Sequence, residues 1–130
     1  MDPAVAAAFQ SYPADMRERL LALRSLIHAV AADTPGVGPL QETLKWGQVS
    51  YLTPESGSGT TVRIGHDKAS GEPALFVNCQ TTLLSRYRAL YPDAFIYDGQ
   101  RGVVIGADAD QQALRHVVAL ALTYHRNKKP

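Results

Sequence analysis

Apolar residues recur through Met16, Leu20, Leu23, Ile27 and Val30 at alternating spacings of four and three, the signature of a helix with one buried face. This helix begins near Tyr12-Pro13 and stops before Asp33-Thr34-Pro35-Gly36-Val37-Gly38, where prolines and glycines enforce a loop. Upstream, Asp2-Pro3 reads as a cap followed by proline at the first helical position, and Val5 and Phe9 fall one turn apart in a short helix expected to pack as a flap. Downstream, a second short helix is expected to start at Pro39 and to end at Gly47, whose freedom at positive φ suits a helix terminus.

Beyond Gly47 the pattern turns β-rich. Strands are expected over 49–52, 61–65 and 74–79, and the segments 95–97 and 102–105 form a hairpin around Asp98-Gly99, which makes five strands. The loop 53–60, with Pro54, Gly57 and Gly59, and the turn 67–73, with Gly71, connect the first three, so antiparallel pairing is the economical arrangement. Residues 81–90 support a helix that offers Leu83, Leu84, Tyr87 and Leu90 for packing and is stopped by Pro92. The last helix opens at Asp108, which Gln111 answers in the manner of a capping box. Its apolar residues from Leu114 to Leu122 cover more than one face, so it lies deep within one chain or pairs with a second copy; the monomer is expected. The fold class is thus α+β, an antiparallel sheet of about five strands packed with helices, in one domain spanning residues 1–130.

Charge and length narrow the function classes. With 13 Lys+Arg against 12 Asp+Glu the net charge is +1, far from the basic excess that a nucleic-acid footprint normally carries. The cations of His125-Arg126-Asn127-Lys128-Lys129 stand at the carbonyl end of the last helix and read as a solvated tail. The longest strongly apolar stretch, 117–122, is far short of the roughly 20 residues that cross a bilayer. One cysteine makes no internal disulfide, and residues 1–10 lack the pattern of a secretory signal, so a cytoplasmic protein is expected.

Catalytic signatures do not emerge. The histidines and the cysteine show no metal-ligand spacing, and the serines lack a nucleophile elbow, so no metal, cofactor or hydrolytic triad is expected. His28 sits beside the buried stripe of its helix and reads as solvated; Cys79, in phase with Leu75 and Val77, reads as core, with a nucleophile at a helix start as its alternative. His66, in phase with Val62 and Ile64, is expected to lean towards the buried face. What remains is aromatic rings beside cations: Trp46 and Tyr51 with Lys45, and Tyr97 with Arg101 across the tight turn. Such rings either close one end of the core or, with His66, line a pocket for a planar or anionic ligand.

The helix segment Arg19-Leu20-Leu21-Ala22-Leu23-Arg24, followed by Glu42-Thr43-Leu44-Lys45-Trp46-Gly47 and by Tyr51, resembles the YdhG-like proteins, a large bacterial family of domains of unknown function. The likeness runs from about residue 12 to 125 through the strand at Val62-Arg63-Ile64-Gly65, the strand at 74–78 and a hairpin into a last helix; Val49 stands where the family commonly has proline. The resemblance implies a helix-covered antiparallel sheet. One branch is described as frataxin-like, delivering iron, a role that needs an exposed carboxylate patch; here only Asp93 with Asp98 and Asp108 with Asp110 form local groups. The expected function is therefore a non-enzymatic module binding a small ligand or a protein, with frataxin-like iron delivery as the alternative.

Overall fold

The computed structural model describes residues 1–127. Helix α1 (Pro3–Gln10) is capped by Asp2, whose carboxylate accepts from the Ala4 amide at 2.8 Å, and it buries Val5 and Phe9. Helix α2 (Ala14–Asp33) buries Leu20, Leu23, Ile27 and Val30, the stripe that the spacing predicts. Four strands follow, β1 (Gln41–Lys45), β2 (Gln48–Leu52), β3 (Val62–His66) and β4 (Pro73–Phe76). Helix α3 (Leu83–Leu90) leads to the hairpin β5 (Ile96–Asp98) and β6 (Gly102–Val104), then to α4 (Gln111–Leu122) and the short α5 (Tyr124–Asn127). The strands form one antiparallel sheet in the order β1-β2-β3-β4-β6-β5. The class is α+β.

The sixth strand is β1, and it replaces the helix expected from Pro39 to Gly47. Trp46 and Gly47 both have positive φ, 55° and 77°, as a two-residue type I′ hairpin turn requires, and Lys45 pairs with Gln48 across it. A glycine at positive φ serves a helix terminus and a hairpin equally well. What decides the matter is Glu42: it lies on the same face as Leu44, and both turn towards the helices because Glu42 finds polar partners there.

Register divides the sheet into two faces. Glu42, Leu44, Val49, Tyr51, Val62, Ile64, Leu75 and Val103 share the face covered by α1 and α2, with α4 packed against α2, where the core lies. The opposite face carries Thr43, Lys45, Gln48, Ser50, Arg63, Phe76 and Asp98, and among the described residues no helix covers it.

Helix α4 is buried on several sides within one chain, with Leu114, Val117, Val118 and Leu122 all enclosed. Its cap is Asp110 rather than Asp108, since the Asp110 carboxylate accepts from the amides of Gln112 and Ala113 at 3.0 and 3.2 Å. At its other end the loop after β2 supplies donors for carbonyls that a helix terminus leaves unpaired: the Thr60 amide donates to Ala121 and the Ser58 hydroxyl to Leu122. Gly59 sits so close that a Cβ would lie 2.8 Å from the Leu122 backbone. Arg126 is no free tail residue, for its guanidinium donates to the Pro35 carbonyl at 2.6 Å. Lys128 and Lys129 lie outside the described residues.

Strand β4 ends at Phe76, three residues short of the expected Cys79. The Asn78 side chain accepts from the Gln80 amide and its carbonyl from the Thr81 hydroxyl, a local turn that draws the chain out of the ladder. Cys79 is consequently exposed and is not core. No helix among the described residues is long and apolar enough to cross a membrane.

Candidate ligand-binding face of the sheet

Alternation sends the sequence-predicted site residues to different places. Tyr51 faces the helices at 0% exposure, and its hydroxyl donates to Glu42 at 2.7 Å. Glu42 is also held by both arms of the Arg24 guanidinium at 2.6 and 3.0 Å, with His28 Nε2 at 3.5 Å. His28, edge-on to Tyr51, borders this cluster while its side chain stays 39% exposed. Burial pushes the Glu42 carboxyl up, but hydrogen bonds from Arg24, Tyr51 and His28 outweigh it and hold the group below its ordinary value. Burial, reinforced by the Glu42 bond and charge, pushes the Tyr51 phenol well up. The Glu42 carboxylate is paired with both the Arg24 guanidinium and the Tyr51 phenol, and these bonds clamp β1 to α2.

Tyr97 also leaves the expected pocket. Its hydroxyl donates to the carbonyls of Tyr87 and Tyr91, and its ring lies under the Arg88 guanidinium at 5.3 Å, so it braces α3 and does not pair with Arg101.

The other four residues gather on the open face. Lys45 and Trp46 line a hollow of about 250 Å³ together with Arg63, Cys79 and Arg101. His66 lines a second hollow of about 420 Å³ with Arg63, Lys68, Phe76, Asp98 and Arg101. Because Arg63 and Arg101 border both, the hollows adjoin across the sheet. His66 is exposed, not turned into the core: β3 ends there, and the imidazole meets the edge of Tyr12 at 6.2 Å. Trp46 is 91% exposed at the hairpin tip and does not close the core.

The electrostatics of this face are unbalanced. Among the described residues Lys45, Arg63, Lys68 and Arg101 form no ion pair, and Arg63 Nε is shielded from solvent without a hydrogen-bond acceptor. An unpaired buried donor costs free energy, on the order of 1–3 kcal/mol. Arg63, Lys68 and Phe76 went unrecognised as site residues; the two-residue alternation that groups Arg63 with Lys45 through Gln48 was the available signal.

Among the described residues no three His, Cys, Asp or Glu side chains come together as a metal cluster would require. Comparison with known protein families, with curated proteins and with solved structures finds no match for this chain.

Proposed function

We propose that the protein is a non-enzymatic binding module whose open sheet face takes a small anionic ligand with a planar apolar part. The observation that carries this reading is the group of four cations on that face without a carboxylate ion-pair partner among the described residues, with Arg63 Nε already dry. A carboxylate received there gains charge-assisted bonds from a fork-shaped donor, while Phe76 on the floor and Trp46 at the rim offer ring faces. Trp46 supports it a second way, since a bulky residue held at positive φ is strained and such strain concentrates at working sites. We place this module in the cytoplasm and treat it as a monomer of the YdhG-like kind, a kinship supported by its helix-covered antiparallel sheet. Iron delivery, the alternative, finds no group of three ligands among the described residues.

The chain has one tryptophan, so its emission reports on this face alone. Titration with 4-methylbenzoate is expected to shift or quench Trp46 emission saturably, and Arg63→Gln with Arg101→Gln to remove the response. An unchanged spectrum up to saturating probe in the folded wild type overturns the reading.

A further inference from the structure

The larger hollow carries negative as well as positive groups, and their placement says more about the ligand. In one register row across the sheet Arg63 on β3 stands beside Phe76 on β4, then Gly102 on β6, then Asp98 on β5. Three strand spacings separate the ends of that row, about 14 Å at the backbone. The loop after β3 folds over this face, because Asp67 lines the same hollow as Asp98. Gly102 makes room for the arrangement: a Cβ there would lie 3.0 Å from the Asp98 Cβ and 3.5 Å from the Phe76 ring.

The hollow thus has two poles with an aromatic floor between them. At one pole Arg63 Nε has no acceptor among the described residues. Two carboxyls, those of Asp98 and Asp67, also line the hollow, and Asp67 is buried and already fixed by the amide and hydroxyl of Ser70 at 2.9 and 2.7 Å. Two carboxylates lining one hollow favour a cationic group beside them. Neither forms an ion pair with a cation of the hollow.

We propose that the ligand is amphoteric: a small molecule with an anionic group received by Arg63, an apolar ring or linker lying on Phe76, and an ammonium group received by Asp98 and Asp67. The inference rests on the anion-binding reading of this face and adds the second charge. Nucleic acid fits poorly here, since its phosphates would meet the carboxylate pole.

Three probes of one shape separate the charges: 4-(aminomethyl)benzoate, 4-methylbenzoate and 4-methylbenzylamine, each titrated by calorimetry into the wild type, Asp98→Asn and Arg63→Gln. Asp98→Asn keeps a turn-favouring residue before Gly99 at an exposed position, so the hairpin is retained; circular dichroism verifies it. Wild-type protein is expected to hold the amphoteric probe roughly fivefold more tightly than 4-methylbenzoate, the scale of one partly screened ion pair. Asp98→Asn is expected to abolish that preference, with 4-methylbenzoate held at least as tightly because a negative charge has left the hollow, and Arg63→Gln to weaken both acids by roughly tenfold. Equal affinity of the two acids for the wild type, or a preference that survives Asp98→Asn, overturns the amphoteric ligand and leaves the anion site standing. Failure of both acids to bind overturns the two readings together.

Discussion

At the scale of single residues, Trp46 and Glu42 show function and stability pulling on neighbouring positions. Trp46 occupies the first central position of a type I′ turn, where asparagine is favoured. Trp46→Asn is expected to stabilise the fold by about 1 kcal/mol, read as a higher urea midpoint, while weakening 4-methylbenzoate binding. Glu42→Gln is expected to cost about 2 kcal/mol, because it leaves the partly buried Arg24 without its counter-charge. The pH dependence has a definite sign. Glu42 and Asp67 ionise below their ordinary values in the folded chain, the first through the Arg24, Tyr51 and His28 bonds that outweigh burial, the second mainly through Ser70. Their contribution is therefore complete above the unfolded carboxyl values near ~4 and is lost as pH falls through the folded ones. Tyr51 and Tyr87 are pushed up by burial, so stability also declines as pH rises beyond their ordinary value near ~10. Urea midpoints across pH test both limbs, and a profile flat from pH 3 to 11 contradicts them.

At the scale of elements, legibility followed how plainly each side chain declares its direction. Helix α2 was readable because every residue of its stripe is aliphatic or methionine. Strand β1 was not, because its inward alternation consists of Glu42 and Leu44, and a glutamate reads as outward until Arg24, eighteen residues earlier, is known to meet it. Cys79 failed because period-two phasing was carried past Phe76, where β4 ends, whereas His66 is the last residue of β3 and is exposed there. Of the site, Lys45, Trp46, His66 and Arg101 were legible as aromatic and cationic neighbours, whereas Arg63 and Phe76 emerge only from the pairing of β3 with β4. The loop that closes α4 makes its own prediction. Gly59→Ala forces a Cβ against the Leu122 backbone, and a loss of about 2 kcal/mol is expected by thermal or urea unfolding.

For the whole molecule the decisive asymmetry is that one sheet face carries the core and the other carries unpaired cations. Because Val117, Val118 and Leu122 are enclosed within one chain, light scattering is expected to give a mass near 14.1 kDa; twice that value contradicts a monomer. The most direct test of the open face is amide chemical-shift mapping with 4-methylbenzoate. The account predicts saturable shifts at Arg63, Gly65, Phe76 and Gly102, with Leu23 and Leu114 in the helical layer unmoved. Shifts confined to the helical layer, or none at millimolar probe, would contradict it.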